Sequence, residues 1–203
     1  MKNNIKHGLI LLMISIMGFS NVLKAQSNYK ISESKDMDMK LSGTSTLHKW
    51  TMDAKTFSGD ADFNFKADGK DLSAVKSLTF SLVVADLKGS EGGLNKNAYK
   101  ALKAKTYKDI DFKLLSATVT PEKDHKFLIN AHGNLTIAGV TKEVTLHVES
   151  TVNANGTITC TGSEKLNMTD YAVKPPTFML GAMKTGDAIT LDFTLVYKKQ
   201  ATT

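Results

Sequence analysis

Arginine is missing from this chain, so all 26 of its basic residues are lysine. Arginine is the side chain that makes forked hydrogen bonds to phosphates and base edges. Its absence argues against a nucleic-acid reader and leaves open only a single phosphate held by lysine. Cysteine is nearly missing too: Cys160 stands alone. One cysteine closes no internal disulfide, so the chain must be stable through its core. There is no internal repeat, low-complexity tract or interdomain linker. After residues 9–19 no second long apolar run follows, which predicts a soluble mature protein.

The N-terminus has the order of a secretory signal. Lys2 and Lys6 give a basic start, residues 9–19 (LILLMISIMGF) an apolar stretch, and residues 20–25 a short polar segment. The run falls short of the roughly 20 apolar residues that span a bilayer. Cleavage after Ala25 is expected. No cysteine follows the apolar stretch, which argues against a lipid anchor. Residues 1–25 are thus read as the signal and residues 26–203 as the mature domain, placed in the periplasm or secreted. Removing 25 of 203 residues leaves 178, about one domain, able to bury roughly 70% of its unfolded surface. Loss of Lys2, Lys6 and Lys24 takes three charges from the formal +6 and leaves +3.

Period-two alternation dominates the mature chain. Val144, Leu146, Val148 and Val152 share one face of a segment, with Glu143, Thr145, His147, Glu149 and Thr151 on the other. Ile189, Leu191, Phe193, Leu195 and Tyr197 form a second series. Phe127, Ile129, Ala131, Leu135 and Ile137 form a third, and Leu78, Phe80, Leu82 and Val84 a fourth. Each reads as a strand with one buried face. Ser58-Gly59, Asp68-Gly69 and Asn155-Gly156 mark expected reversals, and Gly139 separates two strong strands. The close spacing predicts an antiparallel meander of about eight strands. An eight-stranded barrel and a two-sheet sandwich both fit it. Residues 94–107 break the pattern and predict one amphipathic helix, with Asn95 as its N-cap. Residues 170–187, with Pro175-Pro176 and Gly181, read as a long loop.

Catalytic and metal chemistry find little support. Ser45, His48 and Asp53 lack a nucleophile elbow, and Ser45 and His48 face opposite ways on a regular strand. His48, His125, His132 and His147 are dispersed, with no compact ligand motif. No enzyme activity, metal or cofactor is expected. Cys160 shares its parity with Ile158, Leu166 and Met168, which suits a small buried apolar residue. Between Asp86 and Lys113, seven lysines face four acids. This is a solvated helix face or a basic rim that meets an anionic lipid head or a membrane surface. Apolar residues of one parity point inward, but alternation cannot separate a filled core from a hollow one.

Residues 131–148 read AHGNLTIAGVTKEVTLHV. This resembles the G-x-L-T-I-x-G-V-T-K-x-V-x-L segment of the YceI-like family, the polyisoprenoid-binding periplasmic proteins. Residues 98–112 (AYKALKAKTYKDIDF), 43–51 (GTSTLHKWT) and 186–195 (GDAITLDFTL) are similar to its helix, N-terminal strand and terminal strand. The family's proline after the helix tyrosine is Lys108 here, and its arginines before the helix and in the late strand are missing. The resemblance implies an all-β fold, a lipocalin-like antiparallel eight-stranded barrel with one inserted amphipathic helix. It also implies a long isoprenoid, quinone tail or fatty-acid derivative held in the interior. Trp50, Leu78, Phe80, Leu82, Phe127, Ile129, Leu135, Ile137, Leu146, Leu191 and Phe193 are the expected lining. His48, Lys96, Lys100, Lys103, Tyr99, Met179 and Met183 are the expected mouth or head-group contacts. The expected partner is a long-chain lipid, with transient membrane-surface contact and a homodimer as further expectations and no nucleic acid. The rival expectation is a packed barrel that serves the envelope as a structural or protein-interaction module.

Overall fold

The computed structural model describes residues 27–90, 92–178 and 181–201. The expected signal segment with its expected cleavage site, and Met179, lie outside the described residues. The strands are β1 (Ser27–Ile31), β2 (Asp38–Ser45), β3 (Lys49–Ala54), β4 (Phe57–Phe65), β5 (Leu72–Val83) and β6 (Leu87–Gly89). After the helix α1 (Gly92–Ala101) come β7 (Asp109–Pro121), β8 (Lys126–Ile137), β9 (Val140–Val152), β10 (Ile158–Asn167), β11 (Thr177–Phe178) and β12 (Met183–Lys199).

Eight of these strands form a ring in the order β1, β4, β5, β7, β8, β9, β10, β12, and antiparallel pairing of β1 with β12 closes it. The interior faces follow the alternation in the sequence. On β8, Phe127, Ile129, Ala131, Gly133, Leu135 and Ile137 are buried while the residues between them are partly exposed. A closed ring leaves no edge of unpaired backbone groups, which an open sheet of this many strands would present. The 17-residue β12 serves two neighbours on one edge. Its start and middle pair with β2, from Thr185↔Ser45 to Thr194↔Asp38, and its end pairs with β1, from Tyr197↔Ile31 to Lys199↔Tyr29. β2 continues through β3 to β6, and this side flap leads the chain to α1.

One end of the barrel is filled. Phe63 stands between Tyr29 and Tyr197 in edge-to-face contacts of 5.3 and 5.5 Å, a favoured aromatic geometry. Phe127, Leu72 and Ile158 are fully buried around them. At the other end, Ile137 pairs with Val140 across a two-residue turn in which Ala138 and Gly139 both have positive φ, 49° and 84°. That is the hairpin turn whose twist matches the strands. Gly139 is doubly constrained, because a Cβ there would lie 2.4 Å from the Tyr107 ring.

Four expectations need correction, the first being the loop expected over residues 170–187, which instead carries β11 and the first five residues of β12. Ser58-Gly59 is no reversal; it lies inside β4, where Gly59 pairs with Phe80, and the chain turns earlier, between Ala54 and Phe57. A glycine inside a strand marks close backbone approach as readily as a turn. The helix is shorter than residues 94–107. Lys103 adopts φ 54°, and the Ala104 and Lys103 N–H groups donate to the Tyr99 and Lys100 carbonyls at 2.9 and 3.2 Å. This is a Schellman cap, which ends the helix. Asn95 sits within α1 and is no N-cap. Its side-chain oxygen accepts from the Gly89 N–H at 2.7 Å and ties the helix to β6.

Cys160 is buried opposite Ser150, with Sγ 3.3 Å from the Ser150 hydroxyl. Burial pushes its thiol up to about 11, against a lesser lowering by Ser150. Folding thus disfavours the thiolate. Native protein at pH 8 should react with a thiol reagent at least about a hundredfold more slowly than protein in denaturant. The same shift makes Cys160 neutral to stability below its ordinary value of 9.0 and destabilising as pH rises toward 11. Denaturant titrations across that range read the loss, and equal thiol reactivity in native and unfolded protein would contradict this placement.

Candidate ligand-binding site

The ring is hollow above its aromatic floor. A cavity of about 170 Å³ runs inside it. β5 supplies Val75, Leu78, Phe80 and Leu82 to the wall, and β7 supplies Ile110, Phe112 and Leu114. β8 adds Ile129, Ala131, Leu135 and Ile137, and β9 adds Leu146 and Val148. β12 adds Ile189, Leu191, Phe193 and Leu195, and Phe63 and Tyr197 form the floor. An apolar cavity of roughly 150 Å³ stays dry and takes up an apolar guest, so this interior suits hydrocarbon.

A second chamber of about 70 Å³ lies toward α1. It shares Leu41, Leu87, Leu102, Ile137, Leu166 and Ile189 with the first, so one set of side chains separates the two. Trp50, Met52, Leu94, Ala98, Met168 and Tyr171 also border it. The Trp50 ring lies across Gly43, where a Cβ would come within 2.3 Å, and its Nε1 donates to the Thr44 carbonyl at 3.1 Å. Tyr171 is raised above the usual phenol range by burial, with the neighbouring Asp170 charge acting the same way.

Among the expected lining residues, Leu78, Phe80, Leu82, Ile129, Leu135, Ile137, Leu146, Leu191 and Phe193 border the large chamber and Trp50 the small one. Phe127 does not border either; it is 1% exposed in the filled end. The expected mouth residues are more scattered. His48 is exposed in the β2–β3 turn, its Nδ1 2.8 Å from the Lys49 carbonyl. Ser45 holds that turn, donating its hydroxyl to the His48 carbonyl at 3.0 Å and accepting from the His48 N–H at 3.2 Å. Lys96 and Lys100 are exposed on α1, and Lys103 lies just past its end, 5.9 Å from the Tyr107 ring. Tyr99 is a fastener: its hydroxyl donates to the Leu87 carbonyl at 2.7 Å and accepts from Lys88 at 3.1 Å. Met183 is half-buried at the start of β12 and borders neither chamber.

Sequence reasoning missed one wall residue of a different kind. Glu164 on β10 borders the large chamber. It has the same parity as Ile158, Cys160 and Leu166, so its inward direction was legible. β9 and β10 pair only from Val152↔Ile158 to Val148↔Gly162 and then part. Glu164 stands just beyond the last rung. Its Oε1 accepts from the His147 backbone N–H, which has left the ladder, and lies 3.4 Å from His147 Nδ1.

This barrel has known counterparts. The YceI-like domain model matches residues 26–197. The chain belongs to that family. Among solved structures, a polyisoprenoid-binding domain from Saccharophagus degradans, implicated in plant cell wall breakdown, superposes with a TM-score of 0.63 at 11% identity. The match covers 86% of this chain and 99% of that one. Burkholderia cenocepacia BcnA gives 0.59 at 22% identity over 79% of this chain and 95% of its own. The Campylobacter jejuni YceI protein gives 0.53 at 21% identity over 74% and 85%. At these identities the likeness is one of fold. No curated protein sequence matches this one.

Trp50 is the chain's one tryptophan, so intrinsic fluorescence reports on the small chamber. Titration with a long-chain isoprenoid alcohol should shift its emission to shorter wavelength. Unchanged emission under binding proven by another method would place the chain elsewhere.

Proposed function

We propose that this YceI-like protein is an exported, non-catalytic carrier that holds a long apolar lipid, such as a polyisoprenoid or quinone tail, inside its barrel. One observation carries the reading: among the described residues, the large chamber has an almost wholly apolar wall with a single charged side chain in it. Such a space gains nothing from water and stabilises hydrocarbon by roughly 0.8 kcal/mol per buried CH₂. The chain's head would lie toward α1, where the small chamber adds Asn97, Asn167 and Thr185 to its apolar wall. The exposed Lys96, Lys100 and Lys103 on that side suit transient contact with an anionic membrane surface. The basic, apolar and polar order of residues 1–25 supports the exported part of this reading. A barrel packed shut would serve only as an interaction module, and a hollow interior disfavours that reading.

The direct test is extraction of lipid from protein purified from a native membrane-containing host, followed by mass spectrometry. An isoprenoid or other long-chain lipid in near-stoichiometric amount is expected. Protein that never carries lipid, and binds no prenyl chain on addition, would overturn the proposal.

A filling substitution gives a second test. Ala131 is 5% exposed and borders the large chamber. Ala131→Phe should project a ring into the space, change stability by no more than about 1–3 kcal/mol, and weaken prenyl binding at least about tenfold. A folded A131F protein that binds lipid like the parent would count against occupancy of this chamber.

A further inference from the structure

We infer that Glu164 reads the head of the bound lipid, and that the carrier selects neutral hydroxyl-bearing chains over acidic ones. The inference rests on the carrier reading above and names its ligand class. Three observations carry it. First, among the described residues Glu164 is the one charged side chain in the wall of the large chamber. Second, its side chain is only 16% exposed, and both its contacts with His147 use the same oxygen, Oε1. The carboxylate has further acceptor sites on Oε2, and an ionised carboxylate accepts without donating. Third, Glu164 lies two residues from Leu166, which borders both chambers. Two strand residues span roughly 7 Å, so the carboxylate sits close to where a chain passing toward α1 would place its polar end.

A hydroxyl there donates to Oε2 and makes a charge-assisted hydrogen bond, the stronger kind. A carboxylate head meets a like charge beside an apolar wall that offers it no compensating cation. Fatty acids and prenoic acids are therefore disfavoured, and prenols and quinols favoured. Structure alone explains an acceptor at this position, since the His147 N–H needs one. It does not require a charge, because glutamine would accept equally well.

The test compares geranylgeraniol, geranylgeranoic acid and the methyl ester of that acid at pH 8. The probes share one chain and differ in the head. The parent protein should bind the alcohol at least about tenfold more tightly than the acid, the size of one charged hydrogen bond gained or lost. The ester should fall between them. Glu164→Gln keeps the acceptor for His147 and removes the charge, so it should bring alcohol and acid within about threefold. Equal binding of acid and ester by the parent protein would overturn the inference without using any variant. So would an E164Q protein that keeps the parent's preference. In both cases the carrier reading stands, because the chains bind. Failure of all three probes to bind would overturn the carrier reading and this inference together.

Discussion

Three antiparallel rungs between β1 and β12 turn a sheet into a vessel, and the rest of the molecule depends on them. Without that closure, β1 and the end of β12 would each leave an edge and the wall would open between them. Closure works because β12 is long enough to be shared. β2 occupies its first part, the chain leaves through residues 32–37, and β1 takes its last turn of pairing. The rung at Ile31↔Tyr197 also fixes the ring that meets Phe63. The seam that closes the wall thus also holds the floor.

A hollow core has an energetic consequence. Residual cavities destabilise cores by about 24 cal/mol per Å³. At that rate a space of about 170 Å³ corresponds to about 4 kcal/mol of packing forgone. Domains of this size are stable by only about 5–15 kcal/mol. The aromatic floor, the closed ladder and the fully buried Phe63, Phe127, Leu72 and Ile158 must carry a large share of the stability. An apolar guest would restore contacts that the wall lacks, so occupancy and stability are linked in the same direction.

Much of the fold was legible because strand physics is short-ranged. The alternation at Phe127, Ile129, Ala131, Leu135 and Ile137 is a local pattern, and β8 follows it residue by residue. Ser58-Gly59 misled because glycine serves both turns and close approaches, and only the partner strand tells which. The end of α1 was hidden because Lys103 takes the left-handed position that glycine usually fills. Hollowness was not legible at all: Leu135 and Phe127 have the same parity, yet one borders a cavity and the other fills the end. Position along the barrel axis separates them, and that is set by register across many strands. Glu164 was legible by parity and passed over because the apolar positions around it set the expectation.

The parting of β9 and β10 explains why a charge sits in that wall at all. β9 stays paired with β8 along its length, and β10 with β12. Two strands held by their outer neighbours can diverge, as these do beyond Val148↔Gly162, and their facing backbone groups then lose their partners. An N–H in that position must find an acceptor, and a side chain from the opposite strand is near enough to supply it. Here Glu164, of the inward parity, supplies it. The structural need for an acceptor therefore places a polar group beside an apolar tube, close to the end where a ligand's head would lie. Recognition at this point requires no separate site; it requires only that the acceptor already demanded by the backbone carry a charge.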